Sequence, residues 1–470
     1  MTLQRDLAWQ ELELAYRASV AHQFARYALG LDFEMLPANV VHQAKRCLLD
    51  ALGCAIGAYD APGRVMCETV LQELGGKEEA TLFGSGKKST VLNVTLLNSF
   101  LVRFLDFNDV GGGAHNSDSI PGILAIAERE KSSGRDVLTS IVISYELGAR
   151  VTEATGKSWG ESLGIKGWTP DIRGGLNMPP ALGKLMNLSE DQIANAIGIC
   201  ASHSLPLGIL DTNYEENTMS KNLRFGFVAH SAVLACLMAQ QGFTGPERIV
   251  EGENGLRQVV FQDNLVLDRL TDFSGWRILQ TRHKYLPANI SSIAHILATL
   301  AIVNEYDLKP EQIASVRIKA GLKESQHTTY AAKKYPRNAE SADHSAFYAN
   351  AIAIKERAYS PDAFDPKKFT DPVVLDLIEK ITVEPDPSIP ERGRAGSSEI
   401  TTTDGRKFEK HIDVPHGFGN DPLTDQELED KFGKMATKYM RDEQIKKIFD
   451  TVWHIETVND VNQLTALMAF

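Results

Sequence analysis

Residues 91–121 read VLNVTLLNSFLVRFLDFNDVGGGAHNSDSIP, and the succession of residue types along this stretch sets the architecture. Val91, Leu92, Val94, Leu96, Leu97, Phe100, Leu101, Phe104 and Leu105 recur at helical spacing, over a face wide enough to predict a helix packed among other helices. The pattern then stops. Asp106 stands at the helix end, Asn108 and Asp109 follow, then a glycine run, then His115, Asn116, Ser117 and Asp118, with Pro121 near the next helix start. Consecutive glycines let a backbone approach a ligand closely, and a helix N-terminus offers free N–H groups to a carboxylate. Carboxylates beside a histidine can move protons near neutral pH. The same residues also suit a polar interhelical loop closed by an N-cap, and spacing alone leaves both readings open.

Outward from this stretch the helical character holds from residue 1 to about 275. Residues 191–204, DQIANAIGICASHS, follow a Ser189/Gln192 capping box, and 226–241, GFVAHSAVLACLMAQQ, is rich in small apolar residues and ends at Gly242. The character then changes. SVRIKAGLK at 315–323 alternates like a strand, with Val316, Ile318 and Ala320 on one face; ITVEP at 381–385 is a second strand. EITTTDGRKFEKHIDV at 399–414 reads as a hairpin turning at Asp404-Gly405. Residues 343–357 look helical, Ser360-Pro361 opens a short helix, and Thr424/Glu427 form a capping box for a helical tail. The expected fold is mainly α with an α+β second domain: a helical domain at 1–279, an α+β lid at 280–418, and helices at 419–470 that return to the first domain.

With 470 residues, more than one core is expected. The net charge of −12 argues against nucleic acid or anionic membrane as partner, and obliges any anionic substrate to find a local basic pocket. Five cysteines without metal spacing read as free thiols in a reducing compartment. ISSIAHILATLAIV at 290–303 is too short to span a membrane and reads as a buried helix. The N-terminus shows no leader pattern, so a cytoplasmic or organelle-matrix location is expected. FGSGKKST at 83–90 mimics a phosphate loop but lacks its first glycine and has Lys88 where Ser or Thr belongs; it reads as a solvated turn.

Six segments, in order, carry a resemblance to the MmgE/PrpD family of lyases. They are LLDALGCAIGA at 48–58, LDFND at 105–109 with HNSD at 115–118, GWTP at 167–170 with LMNLSEDQIANAIGI at 185–199, MSKNLRFGFVAHSAVLACLMAQQGFTGPE at 219–247, KYLPAN at 284–289, and SADHSAFYANAIAIKE at 341–356. The resemblance implies a homodimer, a site between the two domains, and no metal or organic cofactor. It places Asp106 and His115 at acid–base positions, Lys221 and Lys284 at substrate-cleft lysines, and Tyr330 on the lid facing the cleft. Arg103, Asn108, Asp109, Arg224 and Asn289 are the expected substrate contacts. His344, His203, His230 and His295 read as capping or core residues. Val110 departs from the family's usual Thr, Asn116 from the Pro of HPSD, and Thr169 and Asn289 from histidines of related decarboxylases.

The resemblance implies dehydration of a small hydroxy-polycarboxylate such as 2-methylcitrate, a reaction of propionate metabolism, and these residue types suit such a step. A base must take the proton α to a carboxylate, an acid must help hydroxide leave, and cations must meet the charge that builds on the carboxylate. The same proton abstraction would serve epimerisation of iminodisuccinate or decarboxylation of cis-aconitate. A carboxylate-binding relative without catalysis is the alternative of another class.

Overall fold

The computed structural model describes residues 2–111, 115–155, 167–212, 215–322, 325, 330–389 and 394–470. The protein is mainly α, with a smaller α+β region. At the centre of the helical part lies Val91–Phe104, N-capped by Thr90, whose hydroxyl accepts from the Asn93 amide. Its wide apolar face finds a neighbour on each side: Ala38–Gly57, Ile120–Glu130 and Ser220–Gln240 all pack against it. Gly134–Ala154, Gly174–Leu185 and Glu190–His203 complete the bundle, and the Ser189/Gln192 capping box is present.

Ser220–Gln240 is long and apolar enough to cross a membrane, which the sequence reading assigned to no helix. Its surroundings account for that composition. It packs on Val91–Phe104, Gly174–Leu185 and Glu190–His203, and buries Lys221, Asn222 and Arg224 along with its apolar residues. Gly242 ends it at φ 88°, a left-handed conformation that glycine takes without steric cost.

The α+β part is a four-stranded sheet in the order Ile381–Pro385, Ile313–Ala320, Gly396–Thr402, Lys407–Ile412; the first pair is parallel and the others antiparallel. Val316, Ile318 and Ala320 are buried as their alternation requires, and Gly405 turns the hairpin at φ 88°. Lys323, at the end of the expected strand, lies outside the described residues. Helix Ile293–Glu305 covers the sheet and packs on Ala346–Glu356. The tail helices Asp425–Ala436, opened by the Thr424/Glu427 box, and Asp442–Trp453 pack on Ala38–Gly57. Lys431 makes that docking specific: its ammonium donates to Asp50 (2.6 Å), to the Phe107 carbonyl (2.7 Å) and to the Lys284 carbonyl (3.1 Å).

The histidine expectations need correction. His295 is buried, with Nδ1 3.0 Å from the Asn350 amide nitrogen, but His203 is exposed at its helix end and His230 is half-buried. Of the cysteines, Cys47, Cys54, Cys200 and Cys236 are buried free thiols, while Cys67 is partly exposed.

Candidate active site

The Val91–Phe104 helix ends in a turn that aims a carboxylate. Asp106 adopts φ 46°, a left-handed conformation that Asp tolerates better than most residues. The reversal brings its side chain back onto the last helical turn, where Arg103 Nη1 donates to Oδ1 at 2.6 Å. Lys284 locks the turn from the far side. Its ammonium donates to the Asp106 carbonyl (2.7 Å) and the Ala288 carbonyl (3.0 Å), and lies 3.0 Å from Asp106 Oδ1. All three ammonium hydrogens are thereby committed. Burial opposes ionisation of Asp106, but Lys284, then Arg103, overcome it and hold the carboxyl well below its usual range. Burial lowers Lys284 to about 8, against the pull of Asp106.

His115 completes this cluster, with Nε2 3.5 Å from Asp106 Oδ1. Its Nδ1 lies 2.7 Å from the Asp109 carbonyl. A carbonyl only accepts, so Nδ1 carries the hydrogen and Nε2 keeps the lone pair. Burial, then Arg103 and Lys284, push the imidazole well below 6.5, so it is neutral at pH 7. The site thus presents an uncharged nitrogen base beside an ionised carboxylate. Residues 112–114, which include two of the three loop glycines, lie outside the described residues.

Arg173, which sequence reasoning passed over, fixes the His115 corner. It donates through Nη2 to the His115 carbonyl and through Nε to Asn116 Oδ1 (3.1 Å), and is itself held by Asp171 Oδ1 (3.0 Å). Asn116 stands where the family pattern has Pro, and a proline could not accept that bond. Gly148 makes room for it: a Cβ there would sit 2.6 Å from Asn116 Oδ1. The only sequence signal was an arginine just ahead of the Gly174–Leu185 helix.

A second cluster meets the first at Asp106. Lys221 lies 2.5 Å from Asp343 Oδ2 and 3.1 Å from His344 Nδ1, and donates to the Glu340 carbonyl at 3.3 Å. His344 also touches Asp343 Oδ1 through Nδ1, and its Nε2 is 3.7 Å from Asp211. One ligand atom from each of Asp106, Asp343 and His344 falls within 4.8 Å of the other two. His344, read from sequence as a cap or core residue, therefore stands in the site. Burial, then Lys221, lower its pKa. Arg224 lies beside both Asp171 and Asp211, 2.6 Å from the latter.

Other expected contacts are committed elsewhere. The Asn108 amide nitrogen donates to Ser117 Oγ and Asp118 Oδ1, and Asp109 accepts from Tyr145 (2.6 Å) and Ser117 (2.7 Å), so both brace the loop. Burial, then the charge of Asp50, raise Asp109 to about 6. The Asn289 side chain accepts from the Ser291 amide while its backbone N–H donates to the Asp343 carbonyl. Tyr330 is half-buried at the N-cap of a short helix, Ala331–Lys334.

Among the described residues, two groupings have the ligand types for a metal, although sequence spacing suggested none: Asp106/Asp343/His344 and Cys47/Asp109/His283. In the first, Lys284, Arg103 and Lys221 already supply the positive charge, so a divalent ion would add cation to cation. In the second, both Asp109 oxygens accept hydrogen bonds, and Arg46, Lys431 and Arg282 act on His283.

Residues 22–267 match the MmgE/PrpD N-terminal domain and residues 286–455 match the MmgE/PrpD C-terminal domain. The chain belongs to the MmgE/PrpD family. Among its relatives, the cis-aconitate decarboxylase-like protein oryM of Aspergillus oryzae is 24% identical, covering 96% of this chain and 97% of its own. The cis-aconitate decarboxylase of Mus musculus is 23% identical, covering 96% and 93%. The 2-methylcitrate dehydratase of Escherichia coli is 24% identical, covering 81% and 82%. The family's members thus include proteins named as cis-aconitate decarboxylases and 2-methylcitrate dehydratases.

Proposed function

We propose that this chain is a lyase that dehydrates a small hydroxy-polycarboxylate of the 2-methylcitrate kind. The observation that carries the reading is the neutral Nε2 of His115, held beside the ionised Asp106 within a nest of Arg103 and Lys284. His115 takes the proton α to a carboxylate. Asp106 steadies the imidazolium that forms, and the surrounding cations meet the charge growing on the substrate. Tyr330 gives its proton to the departing hydroxide, which leaves as water. The reading needs no metal and places the enzyme in the cytoplasm.

Decarboxylation is the second reading. In its favour, the decarboxylase relatives align over 96% of the chain and the dehydratases over 81–82%. Against it, Thr169 is buried and caps the Pro170–Arg173 turn, and Asn289 Oδ1 accepts from the Ser291 amide.

The test is incubation of EDTA-treated protein with 2-methylcitrate, citrate, cis-aconitate and iminodisuccinate in deuterated water, followed by NMR. Water loss from a hydroxy acid is expected, at an undiminished rate after chelation. Loss of CO₂ from cis-aconitate, or α-proton exchange without net conversion, would replace dehydration by the corresponding reaction. Activity restored only by a specific metal would overturn the cofactor-free mechanism.

The pH profile follows from the same cluster. Lys284, at about 8, is charged below that pH and neutral above it. Loss of its charge removes a cation that would meet the charge growing on the substrate carboxylate, so kcat/KM should fall as pH rises through about 8. A profile flat to pH 10 would show that the Lys284 charge is not needed.

A further inference from the structure

Five lysines are buried among the described residues: Lys45, Lys221, Lys284, Lys333 and Lys431. Four are saturated. Lys45 donates to the Trp453 carbonyl and Glu456, and Lys221, Lys284 and Lys431 each have three partners as described above. Lys333 is different. It is 0% exposed, and its ammonium has no hydrogen-bond partner among the described residues. It sits in the short helix opened by Tyr330, and the charges acting on it are Lys221, Asp211 and Asp343, the groups of the second cluster.

A buried ammonium without an acceptor is costly, and a second ammonium nearby makes it costlier. Burial, then Lys221, lower Lys333 to about 8. An anion arriving between the two lysines would supply the missing acceptor and relieve their repulsion. Lys221 and Lys284, expected from sequence to grip carboxylates, already donate to acceptors within the protein, whereas Lys333 has no acceptor among the described residues. We propose that Lys333 binds a substrate carboxylate away from the reacting carbon, and thereby sets a preference for substrates with an additional carboxylate. This rests on the polycarboxylate-lyase reading above, because it takes its ligand class from there.

The test compares wild type, Lys333→Met and Lys333→Arg. Calorimetry uses two unreactive probes: tricarballylate, and succinate, which lacks one carboxymethyl arm. Wild type should bind tricarballylate more tightly than succinate. Lys333→Met should weaken tricarballylate by about tenfold or more, the loss of one charge-assisted hydrogen bond, and leave succinate unchanged. Lys333→Arg should keep most of the tricarballylate affinity. The thermal midpoint of Lys333→Met should equal or exceed that of wild type, since methionine fills the space without a buried charge. On the true substrate the same variant should raise KM with kcat nearly unchanged. Unchanged tricarballylate affinity in Lys333→Met would overturn the proposal while leaving the lyase reading intact. So would an equal loss for both probes with a lowered midpoint, which is the signature of a structural role. Wild type that neither binds nor converts any polycarboxylate would overturn both.

Discussion

His115→Gln should lose roughly 10²–10⁴-fold in kcat while keeping its fold, the range for removal of a general base. Glutamine keeps polarity and approximate size but offers no nitrogen lone pair to a substrate proton. The corner itself should survive, because Arg173 grips the backbone carbonyl of residue 115 and the side chain of Asn116, neither of which changes. KM should move little, since the carboxylate-binding cations are untouched. Asp106→Asn should also lower kcat, but the two losses should not multiply, because a base and its charge partner act as a unit. The measurement is steady-state kinetics on the substrate found by NMR, with circular dichroism and thermal unfolding as the control for folding. A His115→Gln protein with near wild-type kcat would remove this residue from proton transfer and pass the role to His344, the other imidazole near Asp106.

What could be read ahead of the structure was what repeats or is local. The wide apolar face of residues 91–105 demanded neighbours on several sides, and the helix has them. The capping boxes at Ser189 and Thr424 and the hairpin at Gly405 are decided within a few residues, and each was legible. The arrangement of the site was not, because its bonds are long-range. Lys221 reaches Asp343 across 122 positions, Lys284 reaches Asp106 across 178, and Lys431 reaches Asp50 across 381. No period in the sequence encodes such pairings. The surroundings of His344 were not visible for that reason: its flanking residues describe a helix start, and only the folded chain brings Lys221 and Asp106 to it. Arg173 was missed because its role depends on a single asparagine in a loop far behind it. Family resemblance pointed to Lys221 and Lys284, but not to the finding that both already donate to acceptors inside the protein.

Lys284→Met should destabilise the protein by about 3 kcal/mol, the lower end of the cost of breaking a buried ion pair, because Arg103 still compensates Asp106. Two contributions make up this loss. The Asp106 carboxylate loses one of its two cationic partners, and the Asp106 and Ala288 carbonyls lose their donor. Adding Asp106→Asn removes the first contribution but not the second. Asp106→Asn also leaves the buried Arg103 without its acid, so the double variant should lose less than the sum of the two single losses without returning to wild-type stability. Activity should be lost as well, since the double variant lacks both the carboxylate beside His115 and the cation that held it. Urea unfolding of wild type, both single variants and the double variant forms a thermodynamic cycle. If the two single losses simply add, Lys284 and Asp106 do not act as a pair. The left-handed turn at Asp106 would then be held by Arg103 and the backbone alone.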